Sequence, residues 1–124
     1  MIEEIRNIFL SEASGQLEMI EAISNGKEVA GQENGVELIH RIMHTMKGSA
    51  PMFGYQHVAD LASAVELSYK HFLVNEAEDV PNSVKNHISE VASVMRECLS
   101  TLENPDDEVL QRKNQLIDYF NQLQ

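Results

Sequence analysis

Apolar residues recur at steps of three and four along most of the chain, and no stretch alternates with the two-residue period of a strand. That restricts the fold to packed amphipathic helices. The first stripe is Ile2, Ile5, Ile8, Phe9, Ala13, Leu17, Ile20 and Ile23, over an expected helix 2–24 that Asn25-Gly26 ends as a left-handed stop. A polar, glycine-containing loop is expected over 27–35. A second helix, 36–53, has Val36, Ile39, Ile42, Met43, Met46, Ala50 and Phe53 on one side, and Pro51 within it is placed to kink or end it. The third, 56–75, turns Val58, Leu61, Ala62, Val65, Tyr69, Phe72 and Leu73 inward, and an acidic loop 76–79 follows. Pro81 suits the first turn of a fourth, 81–103, whose stripe is Val84, Ile88, Val91, Met95, Cys98, Leu99 and Leu102. Asn104-Pro105-Asp106-Asp107-Glu108 supplies a cap, a first-turn proline and acids at the positive end of a fifth helix, 105–123. Short connections make neighbours antiparallel. The expectation is one all-α domain, 1–124: an antiparallel up-down-up-down four-helix bundle with an additional C-terminal fifth helix. Whether that helix caps the bundle, extends away or joins copies stays open.

Composition narrows the partners. Twenty Asp and Glu against 9 Lys and Arg give a formal net charge of −11, which repels nucleic-acid phosphates. No apolar run approaches the ~20 residues of a membrane span, and no charged-then-apolar leader opens the chain. The one cysteine, Cys98, falls at apolar spacing and fits a buried thiol in a reducing compartment. A cytoplasmic location is expected, and the starting methionine and compact length suit a free-standing protein or an excised piece alike.

The second helix carries unusual residues opposite its apolar stripe. At ~100° per residue, His44 points away from the stripe centre, with Lys47 one turn on and Gly48 beside it. A glycine there costs a helix roughly 0.5–1 kcal/mol relative to alanine, so its presence points to close approach by something bulky. Histidine is nucleophilic near neutral pH and forms a labile phosphoramidate, whose charge an ammonium at i+3 can partly neutralise. The other ring nitrogen then needs an acceptor to orient it, and Glu66, flanking the seam of the third helix, is the candidate. Arg41, Lys47 and Lys70 form a cationic spot on an anionic body, suited to a phosphoryl group and an acidic partner pocket, although such charges also occupy any solvated face.

His44-Thr45-Met46-Lys47-Gly48-Ser49-Ala50, followed by Phe53-Gly54, Leu61 and Glu66, resembles the signature of histidine-containing phosphotransfer (HPt) domains. Phe9-Leu10-Ser11-Glu12-Ala13 with Leu17, and Val94-Met95-Arg96-Glu97-Cys98-Leu99, are similar to helices of the phosphorylatable domain of chemotaxis-type histidine kinases. Ser63 stands where those kinases often place a second histidine. The resemblance implies a phosphorelay intermediate that accepts a phosphoryl group on His44 and passes it to or from a receiver-domain aspartate. It implies a sensor or chemotaxis-type histidine kinase as a further partner. No nucleotide site and no cofactor of the chain's own are implied, and Mg2+ belongs to the receiver. On this reading His44, Lys47 and Glu66 carry the chemistry, and His40, Arg41, Gly48, Ser63 and Lys70 meet the partner.

Other readings have weaker support. His40 and His44 are spaced like two metal ligands on a helix, but Arg41 takes the place of the usual glutamate and no third ligand is evident, so no metal is expected. His57, His71 and His87 belong to no motif and suit surface or boundary positions; Met43, Met46, Met52 and Met95 suit core filling. Ser49 lacks a nucleophile elbow, and no phosphate loop or kinase signature is present. The alternative from another class is a non-transferring helical adaptor that binds a receiver or kinase through the same face.

Overall fold

A computed structural model describes residues 1–27, 35–76 and 80–123. It is all-helical among these residues, an antiparallel bundle: α1 (Ile2–Ser24), α2 (Gly35–Ser49), a 3-10 turn (Ala50–Phe53), α3 (Gln56–Val74), α4 (Asn82–Leu99) and α5 (Asp107–Gln122). The loops expected over 27–35 and 76–79 fall largely on 28–34 and 77–79, outside the described residues. α2 and α3 make the most extensive pair. α5 lies against both α3 and α4, and α1 against α4 and, to a lesser extent, α2, giving the order α1, α2, α3, α5, α4 around the bundle. The fifth helix is therefore a wall of the core: Val109, Leu116 and Phe120 join a single cluster of buried side chains drawn from all five helices.

The helix ends follow local chemistry. α1 stops in a Schellman motif: Gly26 adopts φ 77°, its N–H donates to Ile23 O (3.0 Å) and Lys27 N–H donates to Ala22 O (2.9 Å). Pro51 has no N–H with which to continue the α ladder, so α2 ends at Ser49 and the chain tightens into the 3-10 turn; Gly54 closes it at φ 90°. This shifts the helical phase. Met52, expected in the core, is 76% exposed.

Three other expectations change. Asp106, not Asn104, caps α5, accepting from Val109 N–H at 3.1 Å, so Pro105 precedes the helix instead of opening it. Pro81 is likewise the residue before α4, which begins at Asn82 and ends four residues short of the expected 103, leaving Leu102 57% exposed. Ile2, Ile5 and Ile8 are also more than half exposed, because Phe9 is the first residue of α1 to reach the core and the two turns before it bury nothing.

Candidate functional site

α2 is held in rotation by six buried side chains: Val36, Leu38, Ile39, Ile42, Met43 and Met46. With these turned inward, His44, Thr45 and Gly48 are exposed and Lys47 is half-buried. From the facing α3, Glu66 presents a carboxylate whose side chain is only 7% exposed, against 69% for His44 and 41% for Lys47. The two carboxylate oxygens divide their partners: Oε2 lies 2.6 Å from His44 Nδ1 and Oε1 lies 2.6 Å from Lys47 Nζ.

Burial pushes the Glu66 carboxyl up, but the hydrogen bonds and charges of Lys47 and His44 outweigh it and hold the group below its ordinary value of 4.5. Glu66 is thus ionised at neutral pH and can only accept. The proton of the shared bond therefore sits on His44 Nδ1, which donates. In the neutral ring the lone pair is then at Nε2, which has no partner among the described residues. The arrangement presents an oriented imidazole nucleophile, with an anion behind it to stabilise the positive charge that the ring gains when Nε2 reacts.

The other residues expected around His44 fall into two groups. His40 and Arg41, on the turn before His44, line with it an open groove of about 520 Å³ whose remaining walls are Glu37 and Leu73. Ser63 and Lys70 flank Glu66 along α3, one half-buried and the other exposed, and neither lines this groove. Gly48 is exposed, and a Cβ placed on it meets nothing within 4 Å, so no neighbour within the described fold demands glycine there. Glu37 and Leu73 escaped the sequence reading as site residues. An acid on the polar face of an amphipathic helix, as Glu37 is, and an apolar residue on a stripe, as Leu73 is, carry no signal that marks a site.

A second polar cluster lies on the other side of α3. Lys113 of α5, 6% exposed, reaches His57 Nδ1 at 2.8 Å and Asp60 at 4.0 Å, and Ser68 Oγ donates to Phe120 O at 2.6 Å. These contacts fasten α5 to α3. The lysine could not be foreseen, because a cation on an amphipathic helix reads as solvated. His57 is half-buried at this boundary.

No helix among the described residues is long and apolar enough to cross a membrane. No curated protein and no solved structure matches the chain. A family match does exist, to the Hpt domain, and it spans residues 4–124. With nearly the whole sequence covered and the histidine of its motif exposed on a helical bundle, the chain belongs to the Hpt domain family.

Proposed function

We propose that the chain is a phosphocarrier of a two-component phosphorelay, accepting a phosphoryl group at His44 Nε2 and exchanging it with a receiver-domain aspartate. The observation that carries this reading is the 2.6 Å contact between His44 Nδ1 and the ionised Glu66, on a ring whose side chain is 69% exposed. In the forward step the Nε2 lone pair forms the N–P bond. The P–O bond of the aspartyl phosphate breaks, and its electron pair leaves on the aspartate carboxylate. The Nδ1 proton stays between the ring and Glu66, which offsets the charge of the phosphorylated imidazole. The reverse step returns the phosphoryl group and restores the neutral ring.

Partner specificity follows from the same face. Gly48 leaves clearance for a receiver, His40 and Arg41 offer it polar and basic groups beside His44, and Ser63 and Lys70 offer theirs along α3 on either side of Glu66. Mg2+ and the acidic cluster that binds it belong to the receiver, a histidine kinase supplies the phosphoryl group at the head of the relay, and the setting is cytoplasmic. The carrier needs no nucleotide site. Incubation with a phosphorylated receiver should leave acid-labile, base-stable label on the wild type and none on His44→Gln. Receiver binding without label on either protein would instead support an adaptor.

A further inference from the structure

Lys47, the cation that sequence spacing assigns to the phosphoryl group, is already engaged, with its Nζ 2.6 Å from Glu66 Oε1. Arg41 is not. It is exposed, stands three residues before His44, and its guanidinium makes no hydrogen bond or ion pair among the described residues. Helical side chains lean toward the N-terminus of their own helix. The His44 ring therefore leans over the turn that carries His40 and Arg41, and Lys47 leans back toward His44 and Glu66. Arg41 starts toward Glu37, but its long side chain reaches back along the groove it shares with His44. The groove beside the ring, walled by Arg41, His40, Glu37 and Leu73, has room for a group added to His44.

We propose that Arg41 is the residue that receives the phosphoryl oxygens on His44 Nε2, while Lys47 positions Glu66 and, through it, the imidazole. The inference rests on His44 being the phosphorylated residue. A guanidinium suits the task because its planar fork matches two oxygens of a tetrahedral phosphoryl group. Glu37, four residues before Arg41 in the same groove, is the competing anion. It makes no ion pair with Arg41, and a phosphoryl group brings more charge than its single carboxylate. His40, half-buried beside them, offers a further ring nitrogen.

Phosphoramidate tests this without a protein partner. Its P–N bond breaks, ammonia leaves, and phosphohistidine forms on the intact chain. The 31P resonance is followed through a pH titration for wild type, Arg41→Gln, Arg41→Lys and Lys47→Gln, and each phosphorylated protein is then mixed with a receiver. Arg41→Gln should raise the phosphoryl pKa and slow transfer about three- to tenfold, the range expected for a solvent-screened, charge-assisted contact. Arg41→Lys should recover part of both changes, and circular dichroism should be unaltered. A wild-type titration and transfer rate in Arg41→Gln, with the whole change appearing in Lys47→Gln, would overturn the inference and leave the carrier reading standing. Absence of phosphohistidine from the wild type would overturn both.

Discussion

Glu66 ties together the two residues that sequence spacing singles out, and its replacement separates charge from shape. In Glu66→Gln the amide can still accept from Lys47 or His44 but carries no negative charge to set against the reacting ring. Single-turnover transfer should fall about 10²-fold while the helical content stays, since removing a positioned acid-base group costs on this order. The same carboxylate has a pH signature. Its pKa is depressed in the fold, so its stabilising contribution is complete above the ordinary value of 4.5 and is lost as pH falls through the lower folded value. Acid unfolding of Glu66→Gln should lack that component; identical acid profiles would show that the carboxylate does not stabilise the fold. Gly48→Gln should leave the fold intact or strengthen α2 by about 0.5–1 kcal/mol, because a Cβ there meets nothing. It should nevertheless slow transfer to a receiver, and an unchanged rate would remove the clearance argument. Helical spacing made the shared face of His44 and Lys47 legible. It did not show that Lys47 turns to Glu66 instead of solvent, since spacing fixes a face but not which neighbour an ammonium meets.

At the scale of helices, periodicity located five elements, and their errors share a cause. A helical wheel assumes constant phase and a partner for every apolar residue. Pro51 breaks the phase and turns Met52 out, and at the start of α1 the core ends before the stripe does. Asp106 competes with Asn104 for the cap of α5, and only the structure shows whose oxygen reaches a free N–H. α5 was the least legible helix, because its polar face hides Lys113, buried against His57, and α3, its more extensive packing partner, is distant in the chain. Its anchoring predicts a large effect. Phe120 is 0% exposed, so Phe120→Ala should cost about 3–5 kcal/mol in urea unfolding. Ser68→Ala, which leaves the Phe120 carbonyl without its 2.6 Å donor, should cost about 1–3 kcal/mol. Near-native midpoints for both would mean that α5 is dispensable to the core.

For the molecule as a whole, the bundle is a scaffold that holds α2 against α3 and, among the described residues, leaves one side of that pair open. The helix count and their antiparallel succession follow from local pattern and short connections, whereas the insertion of α5 between α3 and α4 is a non-local fact that no stripe encodes. The surrounding charge of −11 repels nucleic-acid phosphates, and the residues on which the proposed carrier chemistry rests occupy one small face. On the proposed mechanism Glu66, by holding Nδ1, directs chemistry to the other ring nitrogen of His44. Nitrogen-15 NMR of the phosphorylated protein tests it most directly. Phosphorus coupling is expected at His44 Nε2, with the proton retained on Nδ1. Phosphorus on Nδ1, or on any residue other than His44, would contradict it.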